Sequence, residues 1–214
     1  MMARFVTGFL ALLLVLPVFS QKVGAKVDLS LNTFHITPPD GGSAQGEKGS
    51  TLAGFSGGLF AIIPASKGFS CRVELLYSRK GMRKSPLQSG GGWVDVTVPS
   101  RALDYIQIPI LLQYEHRLSD KAGLTVVSGV YRAFLFHARG YSSAVAGSWD
   151  IEDEFKDTDV GLVFGVGSVL RLNQTFDLLL EARCNLGLTN VYKSDWDESR
   201  LRNRGFSLSA GIML

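Results

Sequence analysis

Beyond its first twenty residues the chain lacks any apolar run that could cross a membrane as a helix, which takes about 20 residues. A hydrophobic content of 46% is likewise too low for a helical protein with several spans. Proline is scarce, with 7 residues against 24 glycines and 13 phenylalanines, which favours β structure with many turns over a helical bundle. Neither sign of charge is in excess. Without Arg4, 21 basic residues face 19 acidic ones, so the basic stripe of a nucleic-acid binder is missing. The three histidines, His35, His116 and His137, have no metal-ligand spacing. Gly165 and Gly167 sit in a strand pattern without the rest of a phosphate loop. Nothing selects a serine as a nucleophile beside a histidine. No catalytic residue, metal or cofactor is therefore expected.

The first twenty residues form an export signal. Arg4 precedes an apolar run from Phe5 to Leu16, and Val18 and Ser20 suit the small-residue positions of a cleavage site. Residues 1–20 are expected to be removed, leaving 21–214 as one barrel domain. No cysteine follows the apolar run, so the signal is not of the lipoprotein kind.

The most informative stretch is Phe176 to Leu186, FDLLLEARCNL. Successive side chains of a strand point to opposite faces. One face then carries Phe176, Leu178, Leu180, Ala182, Cys184 and Leu186, and the other carries Glu181 and Arg183 in mid-strand. An apolar face opposite a face of paired charges suits a strand with lipid on one side and a polar lumen on the other. The pattern recurs. Lys26 and Asp28 oppose Val23, Val27 and Leu29, and Arg72 and Glu74 oppose Cys71, Val73 and Leu75. Strands are expected over Lys22–Asn32, Leu52–Ile63, Phe69–Ser78, Leu103–Arg117, Gly123–His137, Thr158–Leu170, Phe176–Leu186 and Phe206–Leu214. The parity of 52–63 and 123–137 stays open, and Pro109 should mark a bulge or distortion because proline cannot donate to a ladder.

The connections alternate long and short. The expected fold is all-β: an eight-stranded antiparallel up-and-down transmembrane β-barrel with short periplasmic turns and long extracellular loops. Closure is required because each unpaired backbone group in hydrocarbon costs several kcal/mol. Two cysteines in an exported protein invite a disulfide. Cys71 and Cys184 would instead face lipid on opposite strands, beyond the ~7 Å reach of a bridge.

Several phrases also resemble a known family: GLFAIIP…FSCRVELLYSRKG, LDYIQIPILLQY, DVGLVFGVGSVL and LEARCNLGLTNVY. Together they are similar to the Bacteroidetes-type outer-membrane β-barrel domain family, often labelled porin-family or PorT-like. The resemblance runs from about Lys22 to the C-terminus and implies a barrel like those of OmpA and OmpX, with no single biochemical activity. Leu214 departs from the aromatic residue that commonly ends such barrels and is read by the assembly machinery.

Candidate sites follow from the layout. Lys26, Asp28, Arg72, Glu74, Glu115, Glu181 and Arg183 would line the lumen as an ion-pair plug, or alternatively as a gated pore for small solutes. Arg79, Lys80, Arg83 and Lys84 open a long outer loop. They could take lipopolysaccharide phosphates or pair with the acidic run Asp150 to Asp159. That acidic run has no ligand pattern like an EF-hand. Trp93, Trp149 and Trp196 fall in three long loops, as a platform for a glycan or partner protein, or as loop packing or an interfacial belt. The expected partners are outer-membrane lipid and lipopolysaccharide, the barrel-assembly machinery, and an extracellular protein or glycan, with no nucleic acid. The reading is a non-enzymatic outer-membrane protein with a structural or surface-interaction role. The alternatives are a narrow small-solute channel and a soluble, exported, lipocalin-like binding barrel. The last requires the Arg72/Glu74 and Glu181/Arg183 faces to point outward to water.

Overall fold

The computed structural model describes residues 22–37, 50–83, 100–141, 147–193 and 200–214. The expected export signal, Lys84, Trp93 and Trp196, and the side chain of Arg83, lie outside the described residues. The strands are β1 (Lys22–Thr37), β2 (Ser50–Ser66), β3 (Phe69–Arg83), β4 (Ser100–Arg117), β5 (Ala122–Tyr141), β6 (Ser148–Asp150), β7 (Thr158–Arg171), β8 (Asp177–Gly187) and β9 (Arg200–Met213). All strands but β6 close a ring in the order β1-β2-β3-β4-β5-β7-β8-β9, with β9 pairing back on β1. Every pairing is antiparallel. The short β6 pairs with the outer end of β5, and a single 3-10 turn, Glu152–Glu154, follows it.

Alternation decides which residues face in. On β1, Lys26, Asp28, Ser30 and Asn32 are buried, while Val27 and Leu29 are 67% and 75% exposed. The outer walls of β7 and β9 are apolar in the same way, with Val166, Phe206, Leu208 and Ile212 exposed. This polarity overturns the lipocalin-like alternative: Arg72, Glu74, Glu181 and Arg183 point inward and are almost wholly buried. Two open parities are settled. Ser56, Phe60 and Ile62 face in on β2, and Thr125, Val127, Tyr131 and Ala133 face in on β5.

Aromatic pairs flank the apolar band. Phe69 and Tyr114 meet at 4.9 Å on the short-turn side. Tyr77 lies 5.2 Å from Phe55 and 6.0 Å from Phe136 on the long-loop side. From Phe69 to Tyr77 the strand path is about 26 Å, which a tilt of roughly 40° shortens to about 20 Å, close to the usual band height.

At Pro109 the expected irregularity is a distortion without a bulge: β4 keeps one register with β5 across it, while the pairs of Ile108 and Pro109 with β3 are missing. The bulge of this hairpin lies in β5, between the pairs Asp104–His137 and Tyr105–Leu135, so Phe136 is the extra residue. Before the bulge Arg132 lies on the exposed outer face, which is why charge did not fix the parity; beyond the bulge the parity reverses, with Ala138 and Gly140 inward. The β2–β3 turn is two residues, Lys67 and Gly68, with φ of 50° and 85°. Both being positive is the condition for the tight turn whose twist matches a hairpin. A Cβ on Gly68 would also lie 2.8 Å from the Glu115 carbonyl oxygen.

The strands run further outward than their hydrophobic alternation. Arg79 and Lys80 belong to β3, Ala138 to Tyr141 to β5, and Arg200 to Arg204 to β9, rather than to loops. Above the membrane band the outer face need not be apolar, so the signal stops while the ladder continues.

Candidate functional site

The lumen is a stack of layers. At the periplasmic end Phe60, Ile62, Val169, Leu179 and Met213 form an apolar floor. Lys22 pairs there with Asp177 at 2.6 Å.

Above the floor lies a cluster of six charges. Each of three strands supplies an oppositely charged pair two residues apart: Lys26 and Asp28 from β1, Arg72 and Glu74 from β3, Glu181 and Arg183 from β8. The Arg183 guanidinium grips Glu74 with two parallel bonds, Nη1 to Oε2 at 2.8 Å and Nη2 to Oε1 at 2.5 Å. Its Nε donates to Glu181. Arg72 bridges the same two carboxylates, with Nη2 at 2.6 Å from Glu181 Oε2 and Nε at 3.0 Å from Glu74 Oε1. Lys26 Nζ lies 3.2 Å from Asp28, 3.6 Å from Glu74 and 4.0 Å from Glu181. Three cations meet three carboxylates, so the cluster is neutral. Bidentate arginine–carboxylate geometry is the arrangement that best offsets the cost of removing such charges from water.

Next comes a polar layer including Ser30, Asn32, Ser56, Ser78, Gln107 and Ser207, around a cavity of about 20 Å³. That is room for about one water.

A second buried charge pair lies above it. Lys80 Nζ from β3 meets Asp159 Oδ2 from β7 at 3.1 Å. Tyr131 Oη and Asn203 Nδ2 each donate to the same oxygen at 3.0 Å, and Thr189 Oγ1 donates to Oδ1 at 3.0 Å. The Lys80 ammonium also sits 4.1 Å from the Tyr131 ring centre and 5.2 Å from that of Tyr105, a favourable cation–π placement. Gly161 makes this possible, because a Cβ there would lie 2.5 Å from the Tyr131 ring. An apolar plug closes the outer mouth. Phe34, Met82, Leu103, Phe155, Val191 and Leu201 are all buried, and Phe155 packs on Tyr192 edge-on at 5.8 Å.

Of the lumen residues expected from the sequence, six meet in one cluster and Glu115 stands apart. It faces inward near the short turns, lining a shallow surface hollow with Lys22, Arg117, Lys121, Arg171 and Asp177. The expected basic loop cluster does not form as a unit. Arg79 lies on the outer wall, bound to Asp104 by Nε at 2.7 Å and Nη2 at 2.9 Å, with Tyr77 Oη donating to Asp104 at 2.7 Å. Lys80 is inside. The acidic run is partnered piecemeal, Glu152 with His137 at 3.0 Å and Glu154 with Arg101 at 3.4 Å. Among the described residues no group of histidine, cysteine, aspartate and glutamate could hold a metal. Trp149 sits in β6 and lies over Gly140 of β5. Cys71 and Cys184 are free thiols on the outer walls of β3 and β8.

The residues missed were Tyr131, Thr189 and Asn203; Lys80 and the acidic run ending at Asp159 were expected to pair as one alternative, but in exposed loops rather than inside the lumen. Parity alone could have found Lys80, which continues the inward series Arg72, Glu74, Leu76 and Ser78. Its contact with Asp159, 79 positions away, realises the expected pairing of the basic and acidic runs at one position, inside the barrel.

The same architecture recurs in solved structures. Neisserial surface protein A shares 15% identity with the chain, with a TM-score of 0.53 over 91% of this chain and 96% of that one. The outer membrane protein OprG from Pseudomonas aeruginosa shares 12% identity, with a TM-score of 0.56 over 91% of this chain and 95% of that one. Among curated proteins none matches the chain's sequence. Residues 19–193 match the model of the outer membrane protein beta-barrel domain family, and with its closed ring, apolar outer wall and polar lumen the chain belongs to that family, whose place is the outer membrane.

Proposed function

We propose that the protein is a non-enzymatic, non-conducting barrel that reinforces the outer membrane and presents its outer loops to partners. The observation that carries this reading is the filled lumen. Charge pairs, hydroxyls and two apolar layers occupy it from end to end, and the polar layer retains about 20 Å³. Open aqueous channels belong to barrels of about 16 strands or more. Loops on a rigid scaffold are the usual carriers of recognition. The experiment is conductance of the purified protein in a planar lipid bilayer. No unitary current steps are expected from the wild type. A reproducible, saturable current would favour the narrow-channel reading instead.

The finer assignments belong to the same proposal. The ordered phrases ELLYSRKG, YIQIPILL and NLGLTNVY support a Bacteroidetes, PorT-like branch. Arg4, the apolar run and Ser20 support cleavage after residue 20. The mass of the mature protein from membranes tests this, with Gln21 expected as the first residue.

A further inference from the structure

The outer rim of the barrel is electrostatically uneven. On the β3–β4 side and in the following loops, cations have carboxylates. Arg79 holds Asp104, Arg101 lies 3.4 Å from Glu154, and Lys193 lies 3.4 Å from Asp157. The β9 side differs. Its sequence RLRNRG places Leu201 and Asn203 in the lumen, where both are buried. Arg200, Arg202 and Arg204 therefore share the outer wall with Phe206 and Leu208. His35 of β1 lies beside Arg202 in register, and Thr33 beside Arg204. Among the described residues none of these three arginines has a carboxylate at ion-pair distance. The Nε of Arg202 is covered and has no hydrogen-bond partner.

The depth of the ladder is informative. Phe206 pairs with Leu31, both exposed and apolar, and Arg204 follows two residues further out on the same face. The arginines thus begin where the apolar band ends, at the level of the outer-leaflet headgroups. Same-face residues on a strand are about 7 Å apart, so adjacent guanidiniums can grip one phosphate or two neighbouring ones. An anion between these groups would relieve the repulsion among three guanidiniums on one face of one strand.

We propose that Arg200, Arg202 and Arg204 of β9, with His35 of β1 beside them, bind the phosphate groups of the phosphorylated glycolipid of the outer leaflet. The planar guanidinium fork matches phosphate oxygens, and the site sits at their depth in the membrane. The site differs from the basic cluster expected at residues 79–84, since Arg79 is held by Asp104 and Lys80 is in the lumen.

The test uses the full-length refolded barrel with bisphosphorylated lipid A, or with the same lipid stripped of phosphate, in phosphatidylcholine vesicles. Lipid retained on the extracted protein is counted by native mass spectrometry. The wild type is expected to prefer the phosphorylated form by at least about tenfold, the scale of one or two charge-assisted contacts. The triple variant Arg200→Gln, Arg202→Gln, Arg204→Gln should lose that preference. Arg132→Gln, an exposed cation on β5, should keep it. A faster-running unboiled band in SDS shows that each variant is folded. If the triple variant does not fold, Arg204→Gln alone serves, with a loss of about threefold or more expected. Equal retention of the stripped lipid, an unchanged preference in folded variants, or complete displacement by excess inorganic phosphate would each overturn the proposal.

Discussion

The lumen solves the problem of buried charge twice, in two different ways. In the middle cluster charge answers charge. Arg72 and Arg183 both bridge Glu74 and Glu181, and Lys26 with Asp28 completes the balance. In the upper site a single carboxylate, Asp159, is satisfied largely by neutral donors, from Tyr131, Thr189 and Asn203, with Lys80 as its one cation. The first arrangement tolerates little, because removing one member of the neutral set leaves a net charge buried among the rest. The second is graded, because each neutral donor contributes separately.

That contrast can be broken at its strongest point. Arg183→Met removes the bidentate partner of Glu74 and a donor to Glu181, and should cost about 3–5 kcal/mol. Urea unfolding of the refolded barrel in vesicles, followed by tryptophan fluorescence, measures it. A loss below about 1 kcal/mol would mean that water reaches the cluster. Asp159→Ala should have a similar cost, about 3–5 kcal/mol, because it leaves the buried Lys80 ammonium without its carboxylate and takes the acceptor from three donors. Gly161→Ala is expected to cost about 1–3 kcal/mol, because the added Cβ would meet both the Leu186 carbonyl oxygen and the Tyr131 ring. Paired with Asp159→Ala, the part carried by the Tyr131 ring should be sub-additive, as residues of one network are. Thr189→Val, which removes one neutral donor, should cost only about 1 kcal/mol in the same unfolding assay. The smallest effect is expected from Glu115→Gln, about 0.5 kcal/mol or less, because Glu115 lies near the rim outside both clusters. A large loss there would extend the middle cluster down to the short turns.

The middle cluster was legible because its pairs are local. Lys26 with Asp28, Arg72 with Glu74, and Glu181 with Arg183 stand two apart on strands whose other faces are plainly apolar. Period two then forces each pair to one side, and lipid leaves only the lumen for it. The upper site was legible only in part. Lys80 and Asp159 were expected to meet as one alternative, but as the ends of two exposed loops rather than in the lumen, and the neutral donors Tyr131, Thr189 and Asn203 were not singled out. Lys80 and Asp159 lie above the apolar band, where the outer face turns polar and the two faces of a strand no longer differ. The arginines of β9 were hidden for the same reason.

The sequence by itself determined the closed eight-stranded ring, the inward turn of three charged pairs and the outward turn of the apolar residues. It could do so because strand parity and the insolubility of charge in hydrocarbon act residue by residue. Only the tertiary structure decided which charges meet. It brought Arg72 to Glu181 and Arg183 to Glu74, each across 109 positions, drew Lys80 to Asp159, and left three arginines on the rim of β9 without a described carboxylate. Those outcomes depend on strand stagger and on which inward residues share a height in the barrel, quantities that no single strand contains.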